Sequence, residues 1–105
     1  MFGDIGAMMK MARELQGKMQ ELQGTLQALR VTGESGAGMV RVVMNGKHEV
    51  VAVEITDEAM ADREMLQGLV HAATNDAVRR VADEIKARMG EMTGGLPLPG
   101  LTGLL

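Results

Sequence analysis

The sequence has no cysteine, no tryptophan, no tyrosine and a single phenylalanine, Phe2. Without cysteine there is no disulfide framework, no thiolate metal site and no thiol nucleophile. With a single aromatic ring, a core has to be filled by aliphatic side chains and by some of the eleven methionines, flexible fillers that also suit adaptable contact surfaces. No apolar run approaches the length needed to span a membrane. The opening "MFGDIGAMMK" lacks the basic start and apolar stretch of a signal peptide. The expectation is a soluble cytoplasmic protein with no membrane association. Its 105 residues suffice for one domain that is marginal as a monomer.

Positive charge is also scarce. Eleven Lys and Arg face fourteen Asp and Glu, a net charge of −3, whereas proteins that neutralise phosphates usually carry a basic domain. The balance is uneven along the chain. Residues 1–30 hold four basic side chains (Lys10, Arg13, Lys18 and Arg30) against three acidic ones, while the remainder holds seven against eleven. Much of the acidic excess falls in Glu54, Asp57, Glu58, Asp62 and Glu64, opposed only by Arg63. An anionic partner should approach from the side away from that cluster.

What the sequence does contain is periodic order. Ile5, Met8, Ala12, Leu15, Met19, Leu22, Leu26 and Leu29 recur at alternating steps of three and four, an unbroken heptad stripe. A helix over residues 6–29 would be about 36 Å long, more than so small a domain can cover, so part of the stripe should meet a second chain. Gly17 and Gly24 sit seven apart on its outer side, either as tolerated surface glycines or as points of close approach. The middle alternates as β-structure, with strands expected over 31–35, 39–44 and 47–55. Asn45-Gly46 reads as a two-residue hairpin turn that sets Met44 opposite Lys47, Val42 opposite Glu49 and Val40 opposite Val51. One face of that sheet carries Val40, Val42, Met44, Val51, Val53 and Ile55 and should pack on helices.

The glycines of "VTGESGAGMVRV" have neither the spacing nor the following lysine of a phosphate loop, and they lead from a helix into a strand. They read as a corner turning at Gly36-Ala37, with Val31 opposite Val42 and Gly33 opposite Val40. Gly33 then leaves room for a helix close to the sheet. A short turn should start at Thr56 or Asp57, and Asp62 should cap a long helix over 63–92. That helix has an apolar stripe of Leu66, Leu69, Ala73, Ala77, Val81, Ile85, Met89 and Met92, widened by Val70 and Val78. On its polar side Asp76 precedes Arg80, and Glu84 precedes Arg88, by the four residues that favour helix ion pairs. The glycine-, proline- and leucine-rich segment 93–105 reads as a flexible tail whose leucines could dock on a partner.

Catalytic chemistry is not in evidence. His48 and His71 stand apart without the spacing of a metal set, Ser35 is not on a nucleophile elbow, and the carboxylates near Asp57 lack calcium-loop spacing. No catalytic residue, metal site or cofactor is expected.

In order, the heptad helix, "VTGESGAG" (31–38), "NG" (45–46) and "EMLQGLVHAATNDAVRR" (64–80) resemble the YbaB/EbfC family of bacterial nucleoid-associated proteins. The likeness covers nearly the whole chain. It implies an α+β fold of order α-β-β-β-α, with a three-stranded antiparallel meander packed on long helices over residues 1–92. It further implies a tweezer-like homodimer that binds double-stranded DNA in the nucleoid without enzymatic activity, organises the chromosome and affects gene expression. The residues that would carry DNA contact are Lys10, Arg13 and Lys18 on the first helix, and Arg79, Arg80, Lys86 and Arg88 on the last. The family's pattern matches Asn75, Asp76, Arg79 and Arg80, of which the first two could equally be structural. Phosphate contact and shape reading would then dominate, and the acidic balance implies modest, salt-sensitive and weakly selective binding. Met8, Leu15, Met19, Leu22, Leu26 and Leu29 are the candidate dimer and core stripe. An alternative is a protein-interaction module accessory to replication or recombination machinery, with a partner on the methionine-rich helices or the tail.

Overall fold

The chain runs α1 (Phe2–Ala28), β1 (Val31–Ser35), β2 (Val40–Met44), β3 (Val50–Ile55), α2 (Asp57–Met60) and α3 (Arg63–Met92). This computed structural model describes residues 2–92, and the expected tail over 93–105 lies outside them. The three strands form one antiparallel sheet in the order β1-β2-β3. The α-β-β-β-α order is the one the sequence pattern implies, with the short α2 added before the last helix. No described helix is long and apolar enough to cross a membrane.

α3 lies across β1 and β2 and forms the core with them. Val40, Val42 and Met44 of β2 and Ala73, Ala77, Val81 and Ile85 of α3 are buried, joined by Ala59 of α2. Leu66, Leu69, Val70 and Met89 border that cluster, as expected of the stripe, whereas Val78, expected to widen it, is exposed. Two local caps start the helices where the sequence placed them. The Thr56 hydroxyl accepts from the Ala59 N–H at 3.3 Å, and the Asp62 carboxylate accepts from the Met65 N–H at 3.2 Å.

Gly33 decides how closely α3 can sit. A Cβ built there would lie 2.2 Å from the Ala77 nitrogen and 2.5 Å from the Ala73 carbonyl oxygen. The strand and helix backbones are therefore in direct contact, and the neighbours are backbone atoms that cannot swing away.

The strand registers differ from those read in the sequence. β1 and β2 pair Val31 with Met44, Gly33 with Val42 and Ser35 with Val40, two residues from expectation. The cause is a longer corner: Gly36, Ala37 and Gly38 all take positive φ, and the loop uses four residues rather than two. β2 and β3 pair Val40 with Ile55 and Val42 with Val53, with a bulge between Val43 and Met44 that leaves Val50, not Val51, opposite Met44. Here Asn45 is the first residue of the turn rather than its centre. Its buried side chain accepts from the N–H groups of Lys47 (2.9 Å) and Glu49 (3.1 Å), and its amide donates to the Glu49 carboxylate at 2.9 Å. The His48 N–H closes the turn on the Asn45 carbonyl at 3.1 Å, and His48 itself takes the left-handed conformation, φ 62°. This is the three-residue hairpin loop, not the two-residue one.

Gly46 serves another purpose. Its N–H donates to the Leu26 carbonyl of α1 at 2.7 Å, and a Cβ there would lie 2.8 Å from the same oxygen. The Lys47 ammonium adds a hydrogen bond to the Gln27 side chain at 3.1 Å. α1 is thus tied to the sheet at its last turns. Met8, Leu15, Met19 and Leu22 of the expected stripe are exposed, and only Leu26 and Leu29 are half-buried, so within one chain the stripe is not core. A 27-residue helix is about 40 Å long, and the molecule accordingly extends 71 Å along its longest axis. Its radius of gyration is 19.5 Å, where a compact domain of this size has about 13 Å.

β3 corrects a second expectation. Val53 and Ile55 share the face of Val42 and Val40, yet every residue of β3 is exposed because α3 covers only β1 and β2. The apolar edge strand therefore stands uncovered.

The backbone contact at Gly33 generates a direct test. Gly33→Ala should destabilise the fold by about 1–3 kcal/mol, the cost of overpacking a close contact. A urea titration followed by circular dichroism would read this as a lower midpoint at unchanged slope. An unchanged midpoint would mean that α3 is not held as closely as described.

Candidate nucleic-acid interface

α1 is a two-faced rod. At 100° per residue, Met8, Leu15, Met19 and Leu22 fall on one side, while Lys10, Arg13, Gly6, Gly17 and Gly24 fall on the other, with Lys18 between. Lys10, Arg13 and Lys18 are exposed, and among the described residues none has a carboxylate within 4.0 Å. Apart from the neighbouring helix backbone, no described atom comes within 4 Å of a Cβ built at Gly6, Gly17 or Gly24, so the glycines leave the basic side open. Nothing among the described residues makes the close approach these glycines permit.

The basic residues of α3 are arranged differently. Arg79 and Lys86 lie on its outward side, away from buried Ala77 and Val81, whereas Arg80 and Arg88 lie on the flank beside β1. The three arginines among these four residues already have partners. Arg80 Nε is 3.0 Å from Asp76, Arg79 Nη2 is 3.7 Å from the same carboxylate, and Arg88 Nε is 3.1 Å from Glu84. Lys86 has none among the described residues. The seven cations expected to act together are therefore split into an unpaired group on the α1 rod and a largely compensated group on α3.

Asp76 links these arginines to the sheet. One of its oxygens accepts the Glu34 backbone N–H of β1 at 3.0 Å as well as Arg80 Nε. The Glu34 bond is the main reason that its carboxyl is held below the ordinary value of 3.8. Partial burial opposes this, and the hydrogen bond and charge of Arg80 and the charge of Arg79 add to it. Asp76 is thus structural and also orients Arg80. Asn75 contacts the His71 ring at 3.1 Å on the exposed side.

One residue was missed. Arg30 follows the end of α1, and its guanidinium turns back to donate to the carbonyls of Gln27 (2.8 Å) and Leu29 (2.9 Å). It lines the same cleft as Arg80 and Arg88. Its position just after a helix whose last carbonyls need donors was the available signal.

Comparison with known proteins agrees with this architecture. The sequence model of the YbaB/EbfC DNA-binding family matches residues 1–96. The chain is 46% identical over 104 residues to the nucleoid-associated protein DP1429 of Desulfotalea psychrophila, covering 97% of this chain and 98% of that protein. It also superimposes on the crystal structure of the uncharacterized Helicobacter pylori protein HP0035 with a TM-score of 0.70 at 27% identity, covering 82% of this chain and 92% of that one.

The Asp76 network predicts a specific response to acid. Because its folded-state pKa lies below the unfolded one, Asp76 stabilises the fold above the ordinary carboxylate range and loses that contribution as pH falls through the lowered value. Asp76→Asn should therefore melt below the wild type at neutral pH, with the gap closing on acidification below about pH 4. A gap in Tm that stays constant from neutral to strongly acidic pH would contradict a role for the charge.

Proposed function

The chain belongs to the YbaB/EbfC DNA-binding family, and from that premise we propose that it is a nucleoid-associated protein that binds duplex DNA as a homodimer, through phosphate contacts and with low sequence selectivity. In this role it organises the chromosome, with effects on gene expression following from that. The carrying observation is the α1 rod, where Lys10, Arg13 and Lys18 are exposed and free of carboxylate partners. Uncompensated cations on an open surface release counterions when they meet phosphates, which is the main source of sequence-independent affinity. The open side left by the three glycines suits a duplex lying along the helix. With phosphate contacts dominant, shape and backbone would guide binding.

Dimerisation follows from what the single chain leaves bare. The stripe on α1 and the face of β3 together expose Met8, Leu15, Met19, Val50, Val53 and Ile55. A heptad stripe on one copy can pair with the same stripe on another, so a second copy supplies an apolar surface of matching period. Two copies would present two basic rods, an arrangement able to embrace or bridge duplexes.

Two measurements test this reading. Replacing Lys10, Arg13 and Lys18 together by Glu should abolish retention of a random-sequence duplex near physiological salt. The slope of log affinity against log salt should fall by about three units for each rod that touches the duplex, close to one per lost contact. A triple variant that binds with the wild-type slope would remove α1 from the interface. Leu22→Asp should shift the mass in solution from dimer towards monomer while the sheet and α3 stay folded; a fully dimeric Leu22→Asp protein would contradict the placement of the interface on this stripe.

A further inference from the structure

The end of α1, the start of β1 and the Arg80–Arg88 stretch of α3 enclose an open cleft of about 490 Å³ that has no part in the packing of the core. Three guanidinium groups border it: Arg30, Arg80 and Arg88. Each is held from one side. Arg30 is fixed through Nη1 on the Gln27 and Leu29 carbonyls, Arg80 through Nε on Asp76, and Arg88 through Nε on Glu84. Single-point anchoring restricts each group while leaving its other nitrogens as donors. Arg30 differs from the other two in having no carboxylate partner among the described residues, so its charge is uncompensated. Two carboxylates, Asp83 and Glu84, also line the cleft, and Asp76 pairs with Arg80, so the three guanidinium groups stand against three carboxylates and Arg30 is the one with none of its own.

We propose that this cleft is a phosphate-binding notch in which Arg30 is the standing anchor, Arg80 a second donor, and Arg88 a donor that Glu84 occupies until a phosphate displaces it. The inference deepens the DNA-binding reading and rests on it, with the duplex backbone as the source of the phosphate. A planar guanidinium fork matches phosphate oxygens in geometry, and a guanidinium–carboxylate pair exposed on both sides is weak enough to exchange. The Arg88 and Glu84 side chains are both nearly half exposed. Glu84 is thus a resident anion that keeps Arg88 extended and lowers affinity for everything except a ligand able to replace it. A duplex lying along α1 would meet this notch where the helix joins the sheet, giving each protomer a second grip beyond the rod.

The test is duplex binding by the full chain across a salt series for wild type, Arg30→Gln, Arg88→Gln and Glu84→Gln. Arg30→Gln and Arg88→Gln should each lower the salt slope by about one unit. Glu84→Gln should tighten binding about two- to fivefold, a gain that misfolding cannot produce. Inorganic phosphate, titrated while the arginine Nε–Hε resonances are followed, separates this proposal from the broader one. Phosphate shifting Arg30 and Arg88 in a protein that binds no duplex would keep the notch and refute the DNA reading. Duplex binding that neither arginine variant alters, or that Glu84→Gln weakens, would overturn the notch and leave the DNA reading in place. Phosphate that moves neither resonance would likewise overturn it.

Discussion

The arrangement depends on the contact between the Gly33 backbone and the turn of α3 that carries Ala73 and Ala77. It brings the helix axis so close to β1 that the space between them is filled by β2 valines and a methionine rather than by large rings. A sequence with a single aromatic residue has few large side chains to fill a wide gap, so its layers approach closely and small side chains fill the intervening volume. Glycine in the strand and alanine in the helix are two halves of one solution. The cost is coverage: a helix seated over β1 and β2 cannot also shield β3.

From that cost follows the rest of the molecule. β3 presents Val53 and Ile55 on the core-side face with no helix above them, and α1 leaves the domain from its last turns with its apolar stripe exposed. The Asn45–Glu49 loop holds α1 at that angle through Gly46 and Lys47, so the rod is directed by the sheet even though it does not pack on it. A lone helix with interior glycines gains little stability in water, and tertiary packing normally supplies it. On the proposed reading, association with a second copy would cover both surfaces. That association would leave the basic sides of two rods facing outward.

Much of this was legible in the residues. The periodicity of α3, its Asp62 cap and the small residue at Gly33 each express a local rule with a single strong solution. Asn45-Gly46 shows where such a rule gives the wrong register. The dipeptide that signals a two-residue hairpin is used here to start a longer loop, and its glycine is required by the Leu26 carbonyl of a distant helix. No local pattern carries that information. The cations were harder to group for a related reason. Arg79, Arg80, Lys86 and Arg88 are neighbours in sequence, but helical geometry sends Arg79 and Lys86 outward and brings Arg80 and Arg88 to the cleft with Arg30 from the end of α1. Their carboxylate partners were readable from the four-residue spacing, and those partners separate the compensated arginines of α3 from the free cations of α1.

The central claim is that α1 is sustained by a partner and not by its own domain. Amide hydrogen exchange measured across a dilution series, with the mass in solution followed in parallel, tests it most directly. The account predicts that protection of the α1 amides between Met8 and Leu22 falls as dimer gives way to monomer, while the amides of β2 and of α3 around Val81 keep theirs. Protection of α1 that persists undiminished in the monomer would contradict it.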